Sequence, residues 1–132
     1  MLHAQHAKPG TVLGGDFSGV VVAVGKNVGG AHAVGDHVAG FVHGGVDSDG
    51  TAYGGAFAQY VRTPAALALP ILPDTFAHEE AATFGCSLWA AALAICSSKG
   101  LGVKNAEQET WIYIHGGSCE SAHVWRLCKA AV

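Results

Sequence analysis

Hydrophobic residues in the first third of the chain form short β-branched runs that are separated by glycines. One run, Val20–Val24, lies between Gly19 and Gly25, and a second, His37–Val42, follows the dipeptide Gly35-Asp36. β-Branched side chains favour strands, and glycine beside aspartate favours a tight turn. The pattern therefore predicts two strands joined by a glycine-rich connection, with several glycines at positions that require a positive φ.

Shorter apolar segments continue the β pattern to about residue 75. Ala56–Arg62 and Leu67–Leu69 predict a third and a fourth strand, and Pro70 is expected to end the last one. The polar, glycine-rich stretch Gly44–Gly55 predicts a loop, with Asp49-Gly50 as its turn.

The pattern changes after Pro73, where a helix is expected. Residues from His78 to Ser98 are mainly alanine and leucine, and Glu79 and Glu80 lie in the first turn. Acidic side chains suit the positive end of the helix dipole. Because the segment is apolar all round, we expect one helix over 78–98 that is buried on most of its sides.

A candidate phosphate cradle follows the short apolar strand predicted at Trp111–His115. Strand, glycine turn and helix are the order in which a dinucleotide-binding domain begins, and glycines let backbone amides approach a pyrophosphate. Gly116, Gly117 and Ser118 are therefore the candidate cofactor-binding residues, with an ordinary strand-to-helix turn as the alternative. The usual third glycine is absent, and a carboxylate at Glu120 would repel a phosphate.

Composition limits the size and the class of the protein. The chain has 132 residues, of which 50% are hydrophobic and 13% charged, so it can bury a core as one domain, or as one small domain plus part of another. Its 19 glycines favour a turn-rich β structure over a helical bundle. The formal net charge of −3 argues against nucleic-acid binding, which requires a basic surface.

Cysteine use and hydropathy predict a cytoplasmic protein without a membrane segment. The N-terminal stretch is too polar for a signal peptide, and the longest apolar run, Ala81–Cys96, is shorter than the roughly 20 residues that span a bilayer. No CxxC spacing occurs, so we expect buried, reduced thiols, with disulfides as the alternative. The four cysteines are Cys86, Cys96, Cys119 and Cys128.

Other polar residues give no defined catalytic or metal site. Eight histidines are present, and three of them, His32, His37 and His43, lie within twelve residues of one another. Zinc needs three or four converging ligands, and no cysteine lies near these histidines, so we expect no metal. Cys119 at a helix N-terminus is expected to be inert, and Asp16 to bind backbone amides. The catalytic residues therefore stay unknown.

Five sequence blocks, taken in order, resemble the medium-chain dehydrogenase/reductase superfamily. The chain is most similar there to zinc-independent, NADPH-dependent enoyl reductases that act in trans with polyketide synthases. The blocks are GTVLGGDFSGVVVAVGKNV, VGDHVAGFVHGG, GGAFAQYV, PDTFAHEEAATFG and WIYIHGGS.

The resemblance implies a mixed α/β fold with two parts. Residues 1–75 would form a GroES-like β-barrel-type domain, and residues 76–132 a linking helix with the first β-α unit of a Rossmann domain. It also implies NADPH as cofactor, with Gly116, Gly117 and Ser118 toward its phosphates. The substrate would be an acyl thioester with an activated carbon–carbon double bond, and the partner a polyketide synthase.

Departures from the family pattern bear on activity. Gly15-Asp16-Phe17 stands where zinc-dependent members have Gly-His-Glu, and Trp89-Ala90-Ala91 replaces a Thr-Thr-Ala segment near the nicotinamide. The helix cap is Ala77 instead of serine, at a cost of about 1 kcal/mol. Family members continue on both sides, so we expect this chain alone to be inactive, or to have only a protein-interaction role. We also expect aggregation or a homodimer.

Overall fold

The computed structural model describes residues 10–44, 54–97, 99–102, 111–118, 122–124 and 127. Two compact units divide the chain, residues 1–85 and 86–132. The described part is mixed α/β, as expected, with a small antiparallel sheet that is consistent with a GroES-like domain. In chain order the elements are β1 (Asp16–Val20), β2 (His37–Phe41), a 3-10 turn (Ala65–Leu67), β3 (Ala68–Pro70), α1 (His78–Ala81) and α2 (Gly85–Cys96).

The sheet has the order β1-β2-β3, so β2 is its central strand. Both pairings are antiparallel, with Ser18 opposite Ala39 and Ala39 opposite Leu69. The middle of β2, Val38 to Gly40, is buried together with Val42, because this strand has neighbours on both edges. The core of the first unit therefore lies along β2.

The first predicted strand is wrong in its bounds. β1 ends at Val20 because its partner β2 begins at His37, directly opposite. Gly35 has a φ of +97° in the turn before β2, and its N–H donates to the carbonyl of Val21. Beyond this hydrogen bond the two segments of backbone separate. The later valines lose their pairing, and Val22 is 62% exposed. The strand predicted over His37–Val42 is confirmed as β2.

The third predicted strand is wrong, and the fourth is confirmed with a shift of one residue. Ala56 and Phe57 donate backbone hydrogen bonds to Gly14 and Leu13, but Ala56–Arg62 forms no regular strand. The side chain of Phe57 is 79% exposed, so no apolar face fixes a register there. β3 includes Pro70, which is tolerated at a sheet edge because it needs no ladder donor. The turn predicted at 49–50 lies outside the described residues.

The single predicted helix is interrupted at residues 82–84. The Thr83 hydroxyl donates to the Glu80 carbonyl over 2.7 Å. The Thr83 N–H donates to the same carbonyl, which closes a turn tighter than that of an α-helix. A hydroxyl that binds the preceding turn competes with helix propagation. The ring of Phe84 packs edge-on against Phe76, with 5.1 Å between ring centres. α1 and α2 are therefore separate helices.

α2 is not buried on most of its sides, contrary to expectation. Ala91 and Ile95 are buried on one face, whereas Leu93 is 59% exposed. The cysteines on this helix, Cys86 and Cys96, are exposed, so their predicted burial is wrong. Cys119 and Cys128 lie outside the described residues.

The N-terminus of α1 has half of a capping box. Ala77 provides no side-chain acceptor, but the Glu80 carboxylate accepts the Ala77 N–H over 3.1 Å. In the part of the chain that the structure describes, no helix has the length and apolar character needed to cross a membrane.

Candidate functional site

The candidate phosphate cradle is an open turn. Gly116 has a φ of +95°, which favours glycine, and a Cβ at Gly117 would meet no atom within 4 Å. Gly116, Gly117 and Ser118 are all exposed, so their backbone amides are accessible to an anion. Residues 122–124 are helical, as expected for a helix after the turn, whereas Cys119 and Glu120 lie outside the described residues. The turn thus fits backbone binding of a phosphate group.

The segment before this turn forms no regular strand within the described residues. Its side chains alternate between exposed and half-buried, with Trp111 95% and Tyr113 88% exposed. Period-two alternation is typical of strands, but the backbone of residues 111–115 has no strand assignment. The strand predicted at Trp111–His115 is therefore wrong for this structure, and the Rossmann β-α unit stays a prediction.

The first unit contains an open cavity of about 1000 Å³ beside β1. Its walls include the valines that leave the sheet after β1, and the segment 58–65 faces them. Polar side chains are few, with Ser18, Gln59 and Arg62 among the lining residues. A mainly apolar wall with a few polar groups is typical of a site for an apolar molecule with a polar end.

One histidine at this cavity has an unpaired nitrogen. The Nε2 atom of His32 lies 3.1 Å from the carbonyl oxygen of Ala65, so this nitrogen carries the proton. Its Nδ1 atom is then an acceptor, and it is buried without a hydrogen-bond partner among the residues that the structure describes. Because solvent does not reach this nitrogen, it does not contribute to an open ligand site.

Three polar side chains from β1, β2 and α1 form a continuous hydrogen-bond chain. The Ser18 Oγ atom lies 2.7 Å from Nδ1 of His78, and Nε2 of His78 lies 3.0 Å from Nδ1 of His37. The two imidazole rings are nearly parallel, with 5.0 Å between their centres and 19° between their planes. We call Ser18, His37 and His78 the Ser–His–His cluster; all three are half-buried.

Donors and acceptors in this cluster can be assigned consistently when His37 donates to His78 and His78 donates to Ser18. The Ser18 hydroxyl donates to the Val38 carbonyl over 3.2 Å, which leaves its oxygen to accept the Nδ1 proton of His78. Nε2 of His78 then accepts the Nδ1 proton of His37. In this arrangement both nitrogens of His78 and the Nδ1 of His37 have a hydrogen-bond partner.

Residue types alone do not indicate this cluster. The sequence presents His37 only as a candidate metal ligand and His78 only as the start of a helix. A usable signal lies in the strand register, because Ser18 and His37 fall on one face of the β1–β2 pair when Ser18 is opposite Ala39. That register follows from the true bounds of β1, which β-branching alone misplaces.

No metal centre is evident in the described residues. The structure shows no group of three or more histidine, cysteine, aspartate or glutamate side chains there that could hold an ion. Asp16 is exposed at the start of β1, and its carboxylate lies where a Cβ at Gly85 would be.

Residues 1–74 match the alcohol dehydrogenase GroES-like domain family. Among similar curated proteins, a trans-enoyl reductase of Penicillium crustosum, traG, is 37% identical over 83% of this chain and 32% of its own length. A second, opdC of Penicillium oxalicum, is 35% identical over 88% of the chain and 34% of its own length. A third, caaB of Aspergillus niger, is 45% identical over 66% of the chain and 23% of its own length.

The chain therefore spans at most about a third of the length of these relatives. No solved structure matches it significantly.

Proposed function

Because this chain belongs to the alcohol dehydrogenase GroES-like family of the medium-chain dehydrogenase/reductase superfamily, we propose that it takes part in NADPH-dependent reduction of an activated carbon–carbon double bond. The observation that carries the proposal is the similarity to proteins named trans-enoyl reductases, at 35–37% identity over more than four fifths of the chain. The proposed substrate is an enoyl thioester, presented by a polyketide synthase.

The reaction sets two requirements for the protein. A bound NADPH would supply hydride chemistry for reduction at the β-carbon of the enoyl thioester, and the α-carbon would then need a proton. The protein therefore has to hold an anionic nucleotide and an apolar acyl chain at the same time, and to exclude competing water.

We assign nucleotide binding to the candidate phosphate cradle at residues 116–118, which we call the glycine turn. Gly116, Gly117 and Ser118 offer two or three backbone amides, and the open space at Gly117 lets a phosphate approach closely. The second requirement suits the cavity of about 1000 Å³ beside β1, whose walls are mainly apolar. No described side chain is identified as the proton donor.

Exposed apolar side chains favour a second candidate function, a protein-interaction role without catalysis. Trp111 and Tyr113 are almost fully exposed, and aromatic side chains of this kind are enriched at interfaces between proteins. On this alternative, the chain would bind a partner and the reduction would need residues that another polypeptide supplies.

Deuteride transfer separates the two functions. The purified chain is incubated with NADPH that carries deuterium at the transferred position and with a short enoyl thioester, and the product is examined by mass spectrometry and NMR. A saturated thioester with deuterium at its β-carbon supports catalysis by this chain. Absence of the product, in protein whose fold is confirmed by circular dichroism, supports the interaction role.

A further inference from the structure

The Ser–His–His cluster has the arrangement in which a serine side chain acts as a nucleophile. The Ser18 Oγ atom lies 2.7 Å from Nδ1 of His78, and the other ring nitrogen of His78 lies 3.0 Å from Nδ1 of His37. A hydroxyl within hydrogen-bond distance of an imidazole that a third group orients is the general pattern of an activated nucleophile. The cluster therefore contains a candidate nucleophile, a candidate base and a group that orients the base.

We propose that Ser18 is a nucleophile for acyl transfer, that His78 is its general base and that His37 positions His78. The substrate class is an activated acyl ester or thioester with an apolar acyl chain. This activity needs no NADPH, so its failure and the failure of the proposed reduction are separate results.

The ring contact between the two histidines is a hydrogen bond and not a face-to-face stack. The ring centres are 5.0 Å apart, whereas Nε2 of His78 and Nδ1 of His37 are only 3.0 Å apart, and the ring planes differ by 19°. Nearly parallel rings whose nitrogens are much closer than their centres meet edge to edge, which is the approach that a ring N–H needs. His37 therefore fixes the orientation of the His78 ring.

A second arrangement of protons fits the same interatomic distances and prepares the serine for attack. His37 accepts the Nε2 proton of His78, so Nδ1 of His78 is bare and accepts the proton of the Ser18 hydroxyl. The Val38 carbonyl, 3.2 Å from the Ser18 Oγ atom, is the competing acceptor for this proton. Rotation of the hydroxyl from the carbonyl to the nearer imidazole nitrogen brings the base within reach of the proton that it removes.

The open edge of β1 supplies an N–H donor for the oxygen of an attacked carbonyl. The Val21 N–H donates to the Asp36 carbonyl. The Gly15 carbonyl accepts the Val42 N–H, so odd-numbered positions along this strand direct their backbone groups to β2. Because backbone groups alternate along an antiparallel strand, the Ser18 N–H points to the opposite edge, which is unpaired in the described sheet. This amide is the expected oxyanion donor.

The cavity beside β1 has a lining that suits the acyl chain. Ser18 lines this cavity of about 1000 Å³ and is only half-buried. Ala82 also lines it, and the Ala82 N–H donates to the His78 carbonyl over 2.9 Å, one helical turn away. The nucleophile and the turn that carries its base are therefore next to a mainly apolar wall, against which an acyl chain would bind.

The proposed reaction balances without an oxidant or a reductant. The Ser18 Oγ atom forms a bond to the acyl carbon, and the bond from that carbon to the thiol sulfur or alcohol oxygen breaks. The hydroxyl proton passes to Nδ1 of His78 and then to the leaving group. A water molecule, deprotonated by the same nitrogen, then attacks the acyl-serine, and the products are a carboxylic acid and the restored Ser18 hydroxyl.

Covalent labelling of the whole chain tests Ser18 as the nucleophile. The protein is treated with an alkyl fluorophosphonate, which loses fluoride when a serine oxygen attacks its phosphorus, and the modified peptide is identified by mass spectrometry. One phosphonyl group is expected on Ser18 in the wild type, and none on this peptide in Ser18→Ala. Ser97→Ala is the matched control, because the Ser97 hydroxyl accepts the Lys99 N–H and lies outside the cluster, so wild-type labelling is expected.

Hydrolysis of p-nitrophenyl octanoate tests the roles of the two histidines. His78→Gln is expected to lower the rate at least about 100-fold, because general-base catalysis is lost. His37→Gln is expected to lower kcat about tenfold or more with little change in KM, because only the orientation of the base is lost. His43→Gln is the matched control, since His43 contacts Phe41 instead of the cluster, and it is expected to keep the wild-type rate.

The labelling of the wild type decides the proposal even where a variant fails to fold. Absence of the label from Ser18, in protein whose fold is confirmed by circular dichroism, would overturn it. Labelling and hydrolysis at wild-type rates in His78→Gln would do the same. Hydrolysis that persists undiminished in Ser18→Ala would show that another group reacts with the ester, which contradicts Ser18 as the nucleophile.

Discussion

Gly19 on β1 and Gly40 on β2 differ in the space that is available for a side chain. A Cβ at Gly40 would overlap the Leu67 carbonyl and approach the Phe17 ring, whereas a Cβ at Gly19 would meet no atom within 4 Å. Neither glycine needs a positive φ, so the difference is purely one of packing. Gly40 is required because β3 follows a 3-10 turn that passes directly over β2.

Gly40→Ala is therefore expected to destabilise the chain by about 1–3 kcal/mol or more, because overpacking a core displaces backbone. Gly19→Ala is the matched control and is expected to be neutral or stabilising by up to about 1 kcal/mol, since alanine restricts the unfolded chain. Urea unfolding followed by circular dichroism measures both. Equal midpoints for the two variants would show that the close approach at Gly40 is absent.

Residue types alone predicted some local features and missed others. The turn at Gly35-Asp36 was predictable because its chemistry is local: Gly35 supplies the positive φ, and the Asp36 carboxylate binds a backbone amide three residues earlier. The Ser–His–His cluster was not predictable, because it joins residues 41 and 60 positions apart. Such contacts follow only from a known register and a known helix position.

The bounds of the secondary-structure elements differ from the predicted ones because strand pairing and side-chain contacts decide where an element ends. β-Branching placed the first strand over Val20–Val24, but strand pairing with β2 places it over Asp16–Val20. Apolar composition predicted one helix, but the Thr83 hydroxyl and the ring of Phe84 interrupt it. Composition thus indicated which regions were β or α, while strand pairing set the ends of β1 and local side-chain contacts set the break between α1 and α2.

The cap of α1 provides a direct test at the scale of an element. Ala77 has the extended backbone of a cap residue, with φ −66° and ψ 154°, and Glu80 already binds its N–H. Ala77→Ser would complete the capping box and is expected to stabilise the chain by about 0.5–1 kcal/mol in thermal or urea unfolding. Ala90→Ser, at an exposed position within α2, is the control and is expected to give no gain.

A decrease in stability with Ala77→Ser would contradict this account of the helix start. It would mean that the Glu80 carboxylate does not lie beside the Ala77 N–H in solution, and that α1 begins at another residue.

At the scale of the molecule, the exposed apolar side chains predict self-association. Trp111, Tyr113 and Phe57 are among the large apolar residues left exposed, and exposed apolar side chains favour association of proteins. Sedimentation velocity is expected to show dimers or larger species at micromolar concentration. The double variant Trp111→Ser, Tyr113→Ser is expected to lower the associated fraction, whereas a monodisperse wild-type monomer would contradict the prediction.

Binding of NADPH at the glycine turn tests the proposed function most directly. With only a few exposed backbone amides to offset the cost of immobilising a nucleotide, the dissociation constant is expected to be millimolar or weaker. Gly117→Asp adds a carboxylate where a side chain has room, and Gly117→Asn adds a neutral group of the same size. The aspartate variant is expected to bind more weakly than the asparagine variant, because its charge repels the phosphates.

The decisive measurement is a ¹⁵N NMR titration of the wild-type chain and these two variants with NADPH. The account predicts concentration-dependent shifts of the Gly116, Gly117 and Ser118 amides in the wild type, smaller shifts in Gly117→Asp than in Gly117→Asn, and recovery of the free spectrum on dialysis. Shifts confined to other residues, or none at these three amides in folded protein, would contradict the assignment of the turn to the cofactor.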